Sequence, residues 1–212
     1  MNDLIDISPP LDASLAVWPG DTPLTRQVLC DLARGDTVTL STLHATVHLG
    51  AHADGPSHYD PAGRDVASQP LDRYVGPCHV LETRAARSAR LGPADVPGLA
   101  RVRHARVLLN TGTFPDPRRW NSDFAALSVE LVAALSALGV RTIGIDTPSV
   151  DLQDSKDLPA HRAIARADIA ILEGLVLAHV PAGEYELIAP PLRLVGFDAS
   201  PVRALLRPWR SP

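Results

Sequence analysis

Residues 48–58 read His48-Leu49-Gly50-Ala51-His52-Ala53-Asp54-Gly55-Pro56-Ser57-His58. This short stretch contains three histidines and one carboxylate. Imidazole and carboxylate groups are the ligands that zinc and its first-row neighbours prefer in proteins. The stretch therefore predicts a metal site, and we expect residues from the C-terminal half of the chain to complete it.

The spacing within this stretch constrains its backbone. In a straight strand, at about 3.3 Å per residue, the Cα atoms of His48 and His52 would lie about 13 Å apart, too far to bind one ion comfortably. The chain must therefore bend between them, and Gly50 at the midpoint tolerates the backbone angles of a bend. A helix is disfavoured because residues 37–48 are rich in β-branched side chains and because Gly and Pro follow.

Two distant residues are candidates to complete the site. Glu173 is the only charged residue within 169–178, and a buried carboxylate is costly unless it is paired or bound to metal. The alternative for Glu173 is a strand end exposed to solvent. His161 follows Pro159-Ala160 and could be a ligand or a structural histidine. His44 lies within the strand predicted over 37–48, so we assign it a structural or supporting role.

The composition narrows the classes of function. The chain has 212 residues, which suits one domain spanning 1–212, and 45% of its residues are hydrophobic. A net charge of −4 predicts no nucleic acid partner, and no apolar run approaches the roughly 20 residues that span a bilayer. The N-terminal residues lack the apolar region of a signal peptide. Cys30 and Cys78 are interpreted as free thiols, which predicts a cytoplasmic protein.

Periodicity and turn residues predict an α/β fold with β structure in excess. A helix is predicted from Val129 to Leu138, with Ser128 as its N-cap and Gly139 as its stop. A second helix is predicted over 159–167, and residues 84–100 could form a short third one. Strands are predicted over residues 3–8, 24–32, 37–48, 76–81, 106–111, 140–146, 169–175, 185–189 and 192–196.

The stretch resembles the HxGTHxDxPxH pattern of the metal-dependent cyclase-type amide hydrolases, with Ala51 in place of Thr. Its GAHxDGPxHY form is most similar to the kynurenine formamidase, or arylformamidase, branch of that family. One departure is Leu49, where close formamidases carry a small polar residue, and it is expected to affect the pocket wall. Similar segments run nearly from end to end: Asp6–Pro9, Trp18–Pro23, Val75–Cys78, Gly144–Ser149, Ile171–Gly174 and Pro181–Leu187.

The resemblance implies a site with two zinc ions per chain, with manganese as an alternative. His48, His52 and Asp54 would hold one ion. Asp54, His161 and Glu173 would hold the other, with Asp54 and Glu173 bridging. It also implies a single domain of the swivelling β/β/α type that assembles as a homodimer or larger oligomer.

The resemblance further implies hydrolysis of N-formyl-L-kynurenine to L-kynurenine and formate, with His58 moving protons and Trp18 contacting the aryl substrate. From the residues alone, His58 could instead be a third metal ligand, and Trp18 could be a core or interface tryptophan. Two alternatives remain for the function: a related aryl or cyclic amide hydrolase such as an isatin hydrolase, and a metal-binding protein without catalysis. The sequence has no GxSxG motif, which argues against a serine hydrolase.

Overall fold

The computed structural model describes residues 4–209, and its dominant feature is a nine-stranded mixed sheet. The strands and helices, in chain order, are β1 (Ile5–Asp6), β2 (Thr25–Cys30), β3 (Leu40–His44), β4 (His52–Asp54), β5 (Val75–Glu82), β6 (Arg90–Leu91), β7 (Arg106–Asn110), β8 (Ala126–Leu127), α1 (Val129–Ala137), β9 (Thr142–Ile145), α2 (Pro159–Arg166), β10 (Ala170–Glu173), β11 (Gly183–Ile188), β12 (Ala199–Pro201) and β13 (Leu205–Pro208).

Four parallel strands, in the order β5, β7, β9 and β10, form the centre of the sheet. Antiparallel strands extend it on both sides: β11, β13 and β1 beyond β5, and β4 and β12 beyond β10. The pairs β2–β3 and β6–β8 form separate two-stranded sheets. The arrangement confirms the predicted β-rich α/β fold.

Apolar side chains pack on both faces of the large sheet. Successive residues of a strand point to opposite faces, so Leu108 and Leu109 of β7 enter different apolar clusters. Leu109 packs with residues of α1 and α2, including Leu131 and Ile164. Leu108 packs on the other face with residues that include Leu172. The central strands are therefore covered on both sides and hold the site on a rigid support.

The helices predicted over 129–138 and 159–167 are both present. The Ser128 side chain accepts a hydrogen bond from the backbone N–H of Leu131 at the start of α1, and Gly139 follows the helix with a φ of +80°. Pro159 opens α2, where its missing N–H is not needed.

Three predictions of local structure were wrong. Residues 84–100 form no α-helix: Gly92-Pro93 and Pro97-Gly98 limit this segment to the short β6 and single 3-10 turns. Residues 192–196 form no strand, and β11 pairs instead with β5 and β13. The strand predicted over 37–48 ends at His44, so His48 lies in the loop that follows. Of the first predicted strand, residue 3 lies outside the described residues.

The β2–β3 hairpin differs from the rest of the fold because its strand residues are exposed, apart from the half-buried Cys30. Within residues 4–209 the structure contains no helix long and apolar enough to cross a membrane.

Candidate metal centre

Strand β4 brings the two halves of the chain together. It lies between β10 and β12, and its antiparallel register with β10 places His52 directly opposite Glu173. Cross-strand partners point to the same face of a sheet, as do residues two apart in one strand. His52, Asp54 and Glu173 therefore converge on one face, although Glu173 is remote in sequence.

The bend predicted at Gly50 is present. Gly50 has a φ of +58°, and the rings of His48 and His52 come within 5.0 Å of each other, centroid to centroid. Gly174, which directly follows Glu173, has a φ of +65°, and a Cβ at this position would lie 2.2 Å from the carbonyl oxygen of Gly50. The two glycines allow the bend to pass directly against the end of β10.

Five side chains meet at the floor of a cavity, and we call them the pocket cluster: His48, His52, Asp54, His161 and Glu173. His52 Nε2 lies 3.5 Å from Asp54 Oδ1 and 3.3 Å from Glu173 Oε2. His161 Nε2 lies 3.6 Å from Asp54 Oδ2 and 3.7 Å from Glu173 Oε1. His48 Nδ1 lies 3.2 Å from Asp54 Oδ1. These separations are close to the ligand–ligand distance of about 3.4 Å around a tetrahedral ion with bonds of about 2.1 Å.

Several polar atoms of the pocket cluster are buried and find no hydrogen-bond partner among the described residues: His52 Nε2, His161 Nε2 and both carboxylate oxygens of Asp54. Leaving buried polar atoms unpaired is costly, so such groups usually have a ligand or an ion. The unpartnered atoms face one another, and they are the donor types that zinc binds. The residues present therefore fit a metal ion.

The other nitrogen of each histidine is held by an oxygen acceptor. His52 Nδ1–H donates to the Gly50 carbonyl at 2.8 Å, and His161 Nδ1–H donates to Asp151 at 2.9 Å. His48 Nε2 lies 2.9 Å from Asp198 Oδ2. Such outer contacts fix the ring orientation and the tautomer of a metal-binding histidine. The pocket cluster is thus held in place before any ion binds.

Asp151 and Asp198 are functional candidates that sequence reasoning missed. Asp151 is fully buried, where it accepts hydrogen bonds from His161 and Arg90. Burial alone would raise the pKa of Asp151, but these hydrogen bonds lower it to about 2. Asp151 closely follows the matched segment Gly144–Ser149, which could have drawn attention to it. Asp198 has no local signal, because it reaches the site from the turn before β12.

The carboxylates control the protonation of the histidines. Burial alone would lower the pKa of His48, but Asp54 and Asp198 raise it to about 9. Burial also opposes protonation of His161, but Asp151 and Asp54 raise its pKa to about 10. The neighbouring histidines hold the pKa of the buried Asp54 well below its usual range. The pocket cluster thus attracts positive charge, which a divalent cation would supply in place of the protons.

His58 sits at the rim of the pocket cluster. It ends the 3-10 turn Pro56–His58, and its ring centroid lies 4.2 Å from that of His48. Its Nδ1 lies 3.5 Å from Asp198 Oδ2. A ring nitrogen of His58 also lies within 4.8 Å of ligand atoms of His48 and Asp54. The position suits proton transfer as well as metal binding. His44 is exposed at the end of β3 and is not part of the pocket cluster.

The pocket cluster opens into a cavity of about 430 Å³. Its wall is mainly apolar and includes Trp18, Phe114 and Trp120, with the Trp18 and Trp120 rings 5.3 Å apart in an edge-to-face contact. No Lys or Arg occurs among the described residues that line it. Leu49 lies behind the wall, packed against Leu15, which does line the cavity. The apolar part of this cavity suits an aromatic ring.

Comparison with known proteins agrees with the fold. A solved structure described as a potential metal-dependent hydrolase with cyclase activity is 27% identical, with a TM-score of 0.81, and the match covers 99% of this chain and 98% of that chain. A predicted metal-dependent hydrolase from Bacillus stearothermophilus is 27% identical, with a TM-score of 0.80 and coverage of 96% and 97%. Isatin hydrolase A from Labrenzia aggregata shares the fold at 22% identity, with a TM-score of 0.81 and coverage of 98% and 94%.

A family model described as "Cyclase: Putative cyclase" matches residues 5–152, more than half of the chain. That span includes the whole stretch His48–His58 and the bend that places it in the pocket. The chain therefore belongs to the Cyclase family.

Proposed function

We propose that this protein is a metal-dependent amide hydrolase that converts N-formyl-L-kynurenine to L-kynurenine and formate. The observation that carries the proposal is the set of buried, unpartnered atoms of His52, Asp54 and His161 at the floor of an aromatic cavity. The two relatives at 27% identity, described as potential or predicted metal-dependent hydrolases, support the reaction class. The formamidase-like form of the His48–His58 stretch supports the substrate.

The pocket cluster would hold two zinc ions, with manganese as an alternative. When bound, such ions supply the Lewis acidity that makes water a nucleophile at neutral pH and polarises an amide carbonyl. Asp54 presents its oxygens to His48, His52 and His161, and Glu173 presents its own to His52 and His161, so each carboxylate would be able to serve both ions. Asp198 and Asp151 orient His48 and His161 from outside.

The chain's own residues would carry out the remaining steps. Trp18, Phe114 and Trp120 would bind the aryl ring and exclude water from it. Water adds to the formyl carbon, the carbon–nitrogen bond breaks, and the aryl amine leaves with a proton while formate is released. His58 would donate that proton, since it lines the cavity beside the pocket cluster and is the exposed histidine of the group. Proton transfer of this kind typically contributes about 10²–10⁴-fold.

The charges around the cavity favour some aryl formamides over others. Asp21 lies in the lining and could accept the ammonium group of an amino-acid substrate, as in N-formyl-L-kynurenine. Both N-formyl-L-kynurenine and N-formylanthranilate carry a carboxylate that finds no Lys or Arg among the described lining residues, but N-formylanthranilate lacks the ammonium group that Asp21 would accept. We therefore expect N-formyl-L-kynurenine to be the better substrate of the two.

A second candidate is the opening of a cyclic amide such as isatin, favoured by the apolar cavity. One solved structure of this fold is an isatin hydrolase bound to the product analogue thioisatinate, at 18% identity, so the likeness extends to the fold alone. A metal-binding protein without catalysis is less well supported, because the ions would lie at the floor of an open cavity rather than in a closed site.

A substrate panel decides among these functions. The metal-loaded protein should release formate from N-formyl-L-kynurenine with a higher kcat/KM than from N-formylanthranilate, and it should open isatin more slowly. Fast opening of isatin without formate release would move the assignment to the cyclic amides. Absence of all three activities in a protein shown to contain metal would favour a non-catalytic role.

The β2–β3 hairpin supports a homodimer. Large apolar side chains are exposed on and beside it, among them Leu32 and Leu43 at 62% and 64%. A two-stranded hairpin is marginally stable alone in water, so a second copy of the chain is the expected cover. Light scattering should give the mass of a dimer, and Leu43→Ser should shift the mass towards the monomer.

We further place the protein in the cytoplasm, where Cys30 and Cys78 would remain free thiols.

A further inference from the structure

A second group of metal-binding side chains lies away from the cavity. His79 is in β5, Glu184 is its cross-strand partner in β11, and His104 precedes β7. One ligand atom from each of the three lies within 4.8 Å of those of the other two. We call these residues the second cluster. Strands β7 and β9 separate β5 from β10 in the sheet, and none of the three residues lines the cavity.

We propose that the second cluster binds one divalent transition-metal ion, such as zinc, independently of the pocket cluster. Two imidazoles and one carboxylate form a borderline-soft set that suits zinc, with a fourth position left for water. His104 Nε2 lies 3.3 Å from Glu184 Oε2, and the His79 and His104 rings stack with centroids 4.6 Å apart.

The protonation states of this group suit a cation. Burial, together with the nearby His104, lowers the pKa of His79, so its ring is neutral at neutral pH, and its one accepting nitrogen would exchange the backbone N–H of Arg103 for the ion. Burial alone would raise the pKa of Glu184, but its hydrogen bond with His104 and the charge of Arg103 lower it. A neutral imidazole and an ionised carboxylate are the forms that bind metal.

The second cluster is accessible from solvent. The side chains of His104 and Glu184 are 14% and 29% exposed, whereas His79 is buried beneath them. An ion could therefore enter without unfolding, and it would connect β5 and β11 to the loop before β7. The ion would stabilise the fold rather than act on a substrate, since these residues lie outside the cavity.

Arg103 is the competitor for this site. Its guanidinium contacts Glu184, and its backbone N–H donates to His79 Nε2 at 3.2 Å. The Arg103 side chain is 65% exposed, so it can turn into solvent when an ion binds. Exposed ion pairs contribute little, so removing the Arg103 guanidinium, which leaves the backbone N–H in place, should tighten metal binding by up to about fivefold.

The test counts ions in the full-length protein. After a chelator has removed all metal, equilibrium dialysis against zinc, followed by elemental analysis, gives the ions bound per chain. His104→Ala and Glu184→Gln should each bind one ion fewer than the wild type while keeping the ions of the pocket cluster. His179→Ala is the matched control, because His179 is an exposed histidine outside both clusters, and it should bind as many ions as the wild type.

Two further measurements keep the result decisive. Circular dichroism establishes that each variant is folded, and Glu184→Gln, which keeps the side-chain shape, decides the matter if His104→Ala does not fold. Arg103→Ala should bind the additional ion more tightly than the wild type. Equal ion counts in the wild type, His104→Ala and Glu184→Gln would overturn the proposal. The ion count does not depend on any substrate, so its outcome is independent of the test of hydrolysis.

Discussion

The pocket cluster and the second cluster are both built from histidine and carboxylate side chains, but they differ in the protein groups that contact their ligand atoms. In the pocket cluster, buried atoms of His52, Asp54 and His161 face one another without partners among the described residues. In the second cluster, Arg103 already contacts two of the three residues. The difference teaches that donor atoms alone do not define a strong site. In a strong site the donor atoms have no partner within the protein. Outer contacts also hold each ring in position.

The largest contrast should appear on removal of metal. Exhaustive chelation should abolish hydrolysis, by about 10⁴-fold or more, because the ions supply several kcal/mol of transition-state stabilisation. Added zinc should restore the rate. His104→Ala should hydrolyse the substrate like the wild type, since the second cluster lies outside the cavity. Full activity in protein shown to be free of metal would refute the role of the pocket cluster.

The next effect concerns the rim of the pocket. His58→Ala should lower kcat by about 10³-fold, within the usual range for loss of a proton donor, while the bound zinc remains unchanged. Elemental analysis and steady-state kinetics on the same sample measure both quantities. Loss of an ion along with activity would instead make His58 a ligand, the alternative that its distance from His48 and Asp54 leaves open.

A smaller effect is expected outside the ligand set. Asp151→Asn keeps the side-chain shape but removes the charge that holds His161 Nδ1–H, so zinc affinity should fall by about 10–100-fold. Asp198→Asn should cost less, because Asp198 is 46% exposed and water can replace its contact with His48. Competition with a chromophoric chelator measures both affinities. Equal affinities in Asp151→Asn and the wild type would show that the buried contact is not needed.

The smallest effect is a difference in the number of protons that the two clusters release when they bind metal. His48 and His161, with pKa values raised to about 9 and about 10, are protonated at neutral pH, yet a metal binds only neutral imidazole. Filling the pocket cluster should therefore release about two protons per chain. The release should disappear as the pH rises through these pKa values. His79, whose pKa is lowered, should release none at neutral pH.

Calorimetry in buffers of different ionisation enthalpy counts the released protons. Comparison of the wild type with His104→Ala separates the two clusters, because only the pocket cluster remains in the variant. Zinc uptake by His104→Ala without proton release near pH 7 would contradict the assigned protonation of His48 and His161.

The sequence could predict features that local chemistry determines. The bend between His48 and His52 followed from strand geometry and Gly50, and the cap of α1 followed from Ser128. The remote Glu173 could be singled out because it is the one charge within an apolar run. In each case the signal lies in neighbouring residues or in the cost of burying a charge.

The remaining features depend on pairing between distant segments. The opposition of His52 and Glu173 is a matter of sheet register, and Asp198 reaches His48 only because β12 pairs with β4. The second cluster arises because β5 pairs with β11 and the loop before β7 crosses them. A single sequence carries no local signal for such pairings. The same limit explains the strand wrongly predicted over 192–196.

The His52–Glu173 pairing also has a consequence for folding. The two residues are more than a hundred positions apart in the chain, and they meet only when β4 pairs with β10. Contacts of this kind are slow to form, because the entropy of loop closure is lost before the contact contributes. No short fragment could therefore assemble the pocket cluster. Tight zinc uptake during refolding would therefore report the pairing of β4 with β10.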